Sequence, residues 1–526
     1  MEGVSRVDER GFGSKAAEVS GRNVQVRFTL ISEVDATGSL NRRVTIGIVP
    51  DDVLLEIFGF YVKEAYGFFQ TMNLKGVEVW CTLTHVCRRW RSVVLASPLR
   101  LNLRLVCTSR TCSREMLYVW PTLPIVIEEW SHDVIDDTQL LSEKKIDNII
   151  GALEHRNRVC QISLGNLGPS QLDAFTESMR DPFPMLTHLE LWSKFEPATV
   201  IPDSFLGGSS PLLQSLRFWN IPFPALTNLL LSTNHLVYLR LRQIPHSGYI
   251  SPGSMVACLS SLTGLETLDL SFHSPRSRPG PSARHPSSFP RVDLPALTGL
   301  FFHGVSEYIE EFVARINAPL LSHVRIAFFN QLVFDVSQLS RFIGVVDIFK
   351  APCQSQVHFD DGFTFVKLSP FEGTVDPPRT LVFYIKCTPS EWQLSSLAQV
   401  CCSSLSSLQR SLESLDIAHF YTSPGHWHDD MENTKWLELL QPFIAVKDLY
   451  LFGELALPVA QALQELAGER ATEVLPALQG IYIQSHHAPG AVREALEPFI
   501  AARQLSGYPV VVHHTERMPE YDGWYW

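Results

Sequence analysis

Apolar residues recur along this chain in a six-residue pattern, at its first, fourth and sixth positions. Leu186, Leu189 and Leu191 form one such unit, with polar residues between them. Alternation of apolar and polar residues is typical of a strand that buries one face. Most of the chain is therefore predicted to contain strands that recur at intervals. The eleven units begin at Val159, Leu186, Leu213, Leu236, Leu265, Leu297, Leu321, Ile343, Leu412, Val446 and Leu478.

The spacing of these units, and not the pattern alone, indicates a repeat. A chain with 45% apolar residues would match the pattern by chance roughly 48 times over 526 residues. The first eight starts, however, lie 27, 27, 23, 29, 32, 24 and 22 residues apart, close to the period of about 20–29 residues in leucine-rich repeats. Proline cannot donate to a strand ladder, so it suits a strand entrance. Five units have a proline two residues before their first position, where random placement of the 34 prolines gives about 0.7: Pro184, Pro211, Pro295, Pro319 and Pro476.

These repeats predict an irregular α/β solenoid over residues 98–526, whose strands form one curved, mainly parallel sheet with helices. The repeats are degenerate, because no unit has the usual asparagine or cysteine three residues after its last apolar position; Lys194 and Ile221, for example, stand there. We expect an irregular insertion with extra strands at about residues 350–411, where the spacing breaks. A Pro/Ser/Arg-rich stretch predicts a mobile loop over residues 273–291.

A helical module is predicted over residues 45–97, after a polar leader, residues 1–44, that is expected to be disordered. Pro50 followed by two aspartates is a helix-start signature, because proline lacks an N–H and acids favour the positive end of the helix dipole. An apolar stripe at helical spacing follows, formed by Leu54, Ile57, Phe58 and Tyr61. The stripe of a second helix is formed by Trp80, Leu83, Cys87, Trp90 and Val94.

The charge balance of 43 basic and 55 acidic residues gives a net charge of −12, so the chain as a whole does not attract nucleic acid or anionic membranes. It has no secretory signal, no run of 18 apolar residues and no zinc-site spacing among its ten cysteines. We therefore expect an intracellular protein, in the cytoplasm, the nucleus or both, that binds neither nucleic acid nor membranes. One local basic cluster suits either an acidic partner or a solvated helix face: Arg88, Arg89, Arg91, Arg100, Arg104 and Arg110.

Motifs for catalysis are missing from the sequence, which contains no phosphate-binding loop, no Gly-x-Ser-x-Gly elbow and no His-Glu-x-x-His pair. The richest polar cluster comprises His426, His428, Asp429 and Asp430. It could hold a metal only with a further ligand from elsewhere in the chain. A polar surface loop anchored by Trp427 is the better interpretation. We expect no catalytic residue, no metal and no cofactor.

Two segments of the helical module resemble the F-box: residues 49–58 resemble its opening helix, and residues 86–91 resemble its closing helix. With Leu95 to Pro98 and the degenerate repeats, the whole chain is similar to the large F-box family of mushroom-forming (basidiomycete) fungi. The resemblance implies a non-catalytic substrate-recognition adaptor of a Skp1–cullin–F-box type ubiquitin ligase. Such a protein docks on a Skp1-type adaptor, which joins it to a cullin–RING ligase, and binds an unknown protein substrate through its repeats.

By position, the resemblance assigns eight residues to the docking surface for the Skp1-type adaptor, or to the core behind it: Pro50, Leu54, Leu55, Ile57, Phe58, Val86, Cys87 and Trp90. Two features depart from the family's pattern. Val49 stands where a leucine is usual, and its smaller side chain is expected to weaken docking. The segment 64–79 is also longer than a compact F-box needs.

Two other interpretations remain open. The helices would cap a leucine-rich-repeat scaffold that has no ubiquitin-ligase role, because terminal repeats need covering. A hydrolase would need a pocket of converging carboxylates or histidines, which the sequence does not indicate. Exposure of Leu54, Ile57 and Phe58 would favour the adaptor, and their burial against the first repeat would favour the scaffold.

Overall fold

The computed structural model describes residues 49–72, 79–97, 100–108, 117–118, 122–129, 143–194, 200–279, 291–331, 333–346, 354–360, 362–370, 380–387, 390–404, 411–419, 433–468, 470–484 and 489–515. Three features expected from the sequence lie wholly or mostly outside these residues. They are the leader at 1–44, the loop at 273–291 and the polar cluster at 426–430.

The chain divides into two compact units, residues 1–54 and residues 55–526. In the first unit, the carbonyl of Pro50 accepts a hydrogen bond from the N–H of Leu54 (3.0 Å), which closes the first turn of helix α1. Helix α1 spans Asp51–Met72 and so continues into the second unit. The two aspartates of its first turn lie at the positive end of the helix dipole, where they stabilise the helix start.

Two further helices complete the helical module, α2 (Val79–Val86) and α3 (Arg88–Ala96). The sequence predicted a single helix over this stretch, and that prediction is wrong. Cys87 has an extended backbone (φ −158°, ψ 169°) that ends α2. Its Sγ accepts a hydrogen bond from the N–H of Trp90 (3.4 Å) and so caps the first turn of α3.

Aromatic residues form the interior of the helical module. Phe58 and Trp90 lie with their ring centroids 4.7 Å apart, and Trp80 is fully buried. The indole Nε1 of Trp80 donates to the carbonyl of Arg104 (3.1 Å), immediately before the first strand of the repeat domain. This bond ties α2 to the beginning of the repeats.

The described residues of the repeat domain form eighteen strands: β1 Leu105–Cys107, β2 Ile125–Glu129, β3 Val159–Leu167, β4 His188–Ser193, β5 Ser215–Trp219, β6 Tyr238–Ile244, β7 Thr267–Phe272, β8 Val292–Asp293, β9 Gly299–Gly304, β10 Ile316–Asn317, β11 His323–Phe329, β12 Gln354–Asp360, β13 Phe363–Ser369, β14 Thr380–Lys386, β15 Ser414–His419, β16 Asp448–Phe452, β17 Gly480–Gln484 and β18 Val511–His514. The helices that alternate with them are α4 Glu143–Leu153, α5 Pro169–Ser178, α6 Leu226–Leu231, α7 Pro252–Leu259, α8 Ser306–Val313, α9 Ser337–Val345, α10 Ser390–Ser404, α11 Asn433–Leu440, α12 Ala456–Gln464 and α13 Pro489–Leu505.

Sixteen of these strands form one sheet, in the order β1-β2-β3-β4-β5-β6-β7-β9-β11-β14-β13-β12-β15-β16-β17-β18. Its pairings are parallel, except that β13 is antiparallel to both β12 and β14. Strands β8 and β10 form a separate parallel pair. The predicted fold class, α/β with a mainly parallel sheet and helices, is confirmed.

Ten of the eleven hexapeptide units coincide with a strand, which contains their second and third apolar positions. In β4, for example, Leu189 and Leu191 are each 1% exposed. The unit that begins at Ile343 is the exception, and its assignment to a strand is wrong, because Ile343 lies in α9. It is buried there with Leu339, one turn earlier, since apolar residues four positions apart also share a helix face.

Three strands enter the sheet in an order that differs from their order along the chain. The chain passes from β11 through α9 to β12, then returns through β13 to β14, which pairs with β11. From β14 it crosses through α10 to β15, which pairs with β12. These strands therefore form an antiparallel meander within the parallel sheet, in the region where the repeat spacing breaks.

The two faces of the sheet differ in composition. Helices cover the face that carries the repeat pattern: Phe302 of β9 stacks on Tyr308 of α8 (ring centroids 5.6 Å apart), and Phe359 of β12 contacts Trp436 of α11 (5.6 Å). Side chains alternate along a strand, so the intervening residues lie on the opposite face. We call this the outer face, and one row across it consists of Glu190, Arg217, Arg240 and Asp269.

A short polar ladder at the ends of β3, β4 and β5 takes the place of the missing consensus asparagines. Ser193 donates from Oγ to the carbonyl of Leu167 (3.0 Å), and Asn220 donates from Nδ2 to the carbonyl of Ser193 (3.5 Å). Both residues stand two positions after the last apolar residue of their unit, one position earlier than expected. Asn220 has a left-handed backbone (φ 54°), which asparagine tolerates better than most residues. The ladder thus satisfies turn carbonyls that lie close to the core.

A buried guanidinium ties α13 to the turn before β17. Arg503 is 0% exposed. It donates to the carbonyls of Ala471 (3.4 Å), Pro476 (3.2 Å) and Leu478 (2.8 Å). A buried carbonyl without a donor costs about 1–3 kcal/mol, so one side chain stabilises the whole turn.

Replacing Arg503 with methionine tests this role. We expect Arg503→Met to lower the free energy of unfolding by about 2–4 kcal/mol, because the turn carbonyls lose their donors in the interior. Arg493→Met, at an exposed position of the same helix, is the matched control and should change it by less than about 0.5 kcal/mol. Urea unfolding followed by circular dichroism measures both variants. Equal stability of the two would contradict the role assigned to Arg503.

Candidate functional site

Three of the eight predicted docking residues are buried. Leu54, in the first unit, is 0% exposed, and Leu55 and Phe58, in the second, are 6% and 1% exposed. Trp90 is half-buried, with its ring against Phe58. These side chains belong to the core and not to an exposed surface. Phe58 packs on Trp90 of the module itself and Ile57 is exposed, so neither of the two outcomes expected from the sequence is met in full.

The remaining predicted docking residues are exposed: Pro50, Ile57, Val86 and Cys87. Ile57 is 47% and Val86 59% exposed, and Phe60 and Tyr61, one turn after Ile57, are 69% and 44% exposed. The hydroxyl of Tyr61 lies 3.3 Å from Oγ1 of Thr82, one helical turn before Val86, so α1 and α2 present these side chains side by side. We call Ile57, Phe60, Tyr61 and Val86 the apolar module face.

The buried stripe of α1 is rotated from the predicted one. Leu54, Phe58 and Val62 are buried, whereas Ile57 and Tyr61 are exposed. The spacing of apolar residues identifies the apolar side of a helix, but it does not show which residues at the margin of that side contact the core. Ile57 and Tyr61 were therefore predicted to be buried. The spacing also gives no role to the exposed Phe60. A large apolar residue outside the apolar stripe of a helix is the sequence feature that could have identified it.

Several arginines of the basic cluster have partners within the chain, in the helical module and near the first strand. Arg91 donates from Nε to the carbonyl of Thr84 (3.0 Å), and Arg104 donates from Nη1 to a glutamine of β3 (3.3 Å). Arg100 forms an ion pair with Glu56 (2.7 Å) that is largely exposed, and such pairs contribute little to stability. The last arginine of the cluster lies outside the described residues. Among those described, part of the cluster therefore has internal partners.

A charged cluster lies on the outer face of β6 and β7. Arg240 and Arg242 each place Nε beside Oδ2 of Asp269, at 3.0 and 2.9 Å. Asp269 is 1% exposed. Burial raises the pKa of Asp269 above its usual value, although both guanidinium groups oppose the shift. Both guanidinium groups therefore favour the charged form of Asp269.

Aromatic rings support the arginines of this cluster. The guanidinium carbons of Arg217 and Arg240 lie 4.6 and 5.2 Å from the ring centroid of Tyr238. That of Arg242 lies 5.7 Å from the ring of Trp219. Cation–π contacts of this kind hold a guanidinium in place. The conformational entropy of the side chain is therefore lost when the protein folds and not when a partner binds. The arginines are thus positioned before any partner arrives.

Aromatic residues dominate other parts of the outer face. Phe365 lies 5.0 Å from Tyr384 between ring centroids. Tyr482 stacks on Tyr450 at 4.5 Å and on His513 at 4.9 Å. Exposed and half-buried aromatic and arginine side chains are enriched at protein interfaces. These residues stand between the consensus positions of the repeats, where no sequence pattern marks them.

The described residues give little support to metal or thiol chemistry. No group of three or more histidine, cysteine, aspartate or glutamate side chains among them could hold a metal ion. Burial raises the pKa of the Cys258 and Cys387 thiols to about 11, so both stay protonated near neutral pH. None of the described helices combines the length and apolar content that crossing a membrane requires.

A histidine on the outer face is held in its neutral form. His303 of β9 has Nδ1 3.2 Å from Oγ of Ser271, and its ring lies 4.4 Å from that of Phe329. Burial, and to a smaller extent the charge of Lys386, lower the pKa of His303 to about 4. Its folded pKa thus lies below its unfolded value. The stabilisation that it contributes is present above pH 6.5 and is lost as the pH falls from 6.5 towards about 4.

Replacing His303 with glutamine should therefore flatten the acid dependence of stability. From about pH 7 to about pH 5, we expect His303→Gln to lose about 2 kcal/mol less free energy of unfolding than the wild type. His235→Gln, at an exposed position, should retain the wild-type dependence. Urea unfolding at both pH values provides the measurement. An unchanged slope in His303→Gln would contradict the assignment.

Comparison with known proteins finds similarity at the level of structure. No family model and no curated protein matches the chain. Solved structures do match, among them the crystal structure of the leucine-rich repeat-containing protein LegL7 from Legionella pneumophila. That match has 12% sequence identity and a TM-score of 0.26, and it covers 78% of this chain and 99% of that chain. The fold of this chain is defined by its own strand order and pairing, and not by this likeness.

Proposed function

We propose that this protein is a substrate-recognition adaptor of a Skp1–cullin–F-box type ubiquitin ligase. The helical module would dock on a Skp1-type adaptor, and the repeat domain would bind the protein substrate. The observation that carries the proposal is the apolar module face, whose four side chains are 44–69% exposed. Adjacent exposed apolar side chains on helices are typical of a surface that enters a groove on a partner.

The core behind this face supports docking as well. The Phe58–Trp90 contact joins α1 to α3, and Trp80 of α2 is fully buried. The bond from Trp80 to Arg104 links α2 to the first strand. A face held in this way binds with less loss of conformational entropy than a mobile segment would.

The proposed role needs no bond-making residue in this chain. The cullin–RING ligase, joined through the Skp1-type adaptor, would transfer ubiquitin, and this protein would hold the substrate within reach. Proximity and orientation alone make a large contribution to rate. The repeat domain suits this role, because a long sheet presents many side chains to a partner at fixed spacing.

The second candidate is a leucine-rich-repeat scaffold with no ubiquitin-ligase role, in which the helices only cap the repeats. Burial of Leu54 and Phe58, at 0% and 1% exposed, agrees with one part of what it requires, although Phe58 packs on Trp90 of the module. This candidate leaves Phe60 and the other residues of the apolar module face in water without a role. The adaptor accounts for both the buried and the exposed sets, so it is the better-supported proposal.

Charge substitution at the apolar module face tests the adaptor role. Ile57→Asp/Val86→Asp should weaken binding to a purified fungal Skp1-type adaptor at least about thirtyfold, because two carboxylates would enter an apolar interface. The matched control is Ile444→Asp/Val345→Asp, which alters residues of the repeat domain that are 40% and 73% exposed. Surface plasmon resonance with the full chain gives the dissociation constants, and circular dichroism checks that both variants fold.

Tight binding by the wild type and the control, with loss in the module variant, would support the adaptor. Failure of the folded wild type to bind would remove the ubiquitin-ligase role and leave the scaffold. Equal weakening by both double variants would show that binding does not pass through the apolar module face.

A further inference from the structure

We propose that the outer face of β4 to β7 binds an acidic segment of a partner protein. The proposal rests on three arginines, Arg217, Arg240 and Arg242, which we call the arginine patch. Strand register brings them together: Arg217 of β5 pairs with Arg240 of β6, and Trp219 pairs with Arg242. This surface is separate from the apolar module face, so the proposal holds whether or not the module docks on a Skp1-type adaptor.

The arginine patch carries more positive charge than its neighbours neutralise. Asp269 is shared by Arg240 and Arg242 through a single oxygen, Oδ2. Glu190 is the carboxylate nearest to Arg217, and its Oε2 lies 3.9 Å from Nη1, beyond hydrogen-bond distance. Three guanidinium groups thus face two carboxylates, one of them distant. In a chain with a net charge of −12, this local excess is a specific feature.

The patch is also accessible to a partner. The side chains of Arg217 and Arg240 are 40% and 34% exposed. The Nε of Arg217 is buried, so the N–H groups of this side chain that remain for a partner are those of its Nη atoms. Each guanidinium has five N–H donors in a planar fork that matches a carboxylate. Carboxylates of a partner would supply the acceptors that this chain lacks here.

The arginines need little reorganisation to bind. Tyr238 lies against two of the guanidinium groups and Trp219 against the third, at 4.6–5.7 Å from the ring centroids. The buried Asp269 accepts a hydrogen bond from Nε of Arg242 and forms an ion pair with Arg240. Long side chains that are already ordered lose less entropy when they bind.

Two indole rings lie on one side of the arginine patch and indicate that the bound acidic segment also contains an apolar residue. Trp192 and Trp219 pair across β4 and β5, with their rings 6.2 Å apart in an edge-to-face arrangement. Both are half-buried, so they offer an aromatic surface next to the arginines. The segment that fits this surface has several glutamates or aspartates and a large apolar residue beside them.

A nucleic acid is the weaker alternative for this surface. Stacked bases would suit the two tryptophans, and phosphates would suit the arginines. Glu190 and the buried Asp269 would repel a continuous phosphate backbone, however, as would the net charge of −12. A peptide can place neutral residues opposite these two carboxylates, and a phosphate backbone cannot.

Fluorescence anisotropy with the full-length chain tests the proposal. The probes are fluorescein-labelled peptides that hold six glutamates around one tryptophan or leucine, with the apolar residue at varied positions. Peptides in which glutamine replaces every glutamate are the neutral controls. The variant is Arg217→Gln/Arg240→Gln, which removes two charges and leaves Arg242 to pair with Asp269. The matched control is Arg180→Gln/Arg470→Gln, at exposed arginines that pair with glutamates on their own helix or turn.

We expect at least one acidic peptide to bind the wild type and the control variant equally. The patch variant should bind it at least about tenfold more weakly, because two charge-assisted contacts are lost. Binding should weaken as the salt concentration rises. Circular dichroism of the patch variant separates lost contacts from lost folding.

Results of three kinds would each overturn the proposal. The first is that no acidic peptide binds the wild type with a dissociation constant below about 1 mM. The second is that neutral peptides bind as well as acidic ones, or that the patch and control variants bind alike. The third is that labelled single-stranded DNA binds the patch more tightly than every acidic peptide. None of these results bears on docking of the helical module, which the Ile57→Asp/Val86→Asp variant tests separately.

Discussion

Consecutive strands can pair in parallel only if the chain crosses back, after each strand, to the edge of the sheet at which that strand began. This requirement organises the repeat domain. Each return has to place something over the apolar side of the strand, because that side would otherwise lie in water. Helices such as α8 and α11 therefore pack on the face that carries the repeat leucines, and Leu189, Leu268 and Leu449 are at most 1% exposed. In the part of the chain that the structure describes, the crossover helices cover one strand and lead to the next, so the repeats are stable only as a stack.

The meander β12–β13–β14 shows what happens where this requirement is relaxed. Antiparallel strands need no crossover, and β13 pairs in this way with the strands that precede and follow it in the chain. On the outer face of this region, Ala327, Val382 and Tyr384 are buried and pack with Phe363 and Phe365. Aromatic packing at the meander and the arginine patch at β4 to β7 divide the outer face into an apolar part and a charged part. A polar partner would therefore be directed to the strands before the meander.

The division between inner and outer faces also separates stability from recognition. On the helix-covered face of the sheet, residues are constrained by close packing, because adding or removing even one methylene group there changes the stability of the core. Partly exposed positions of the outer face, such as Arg217 and Trp219, are less constrained by packing and so remain available to a partner. The helical module shows the same separation at smaller scale. Phe58 belongs to its core, and Ile57, the residue before it, is available to a partner.

The sequence by itself determined the α/β class and ten of the eleven predicted strands, because apolar residues that must be buried recur at one spacing. It misplaced Ile343, since residues four positions apart satisfy a helix as well as a strand. It also could not separate the exposed Ile57 from the buried Phe58, because both are apolar and lie on one helical stripe. Only the tertiary structure decided these cases, through what packs against each side chain. The arginine patch was decided in the same way: Arg242 and Asp269 lie 27 residues apart in the chain, and only the register of parallel strands brings them within hydrogen-bond distance.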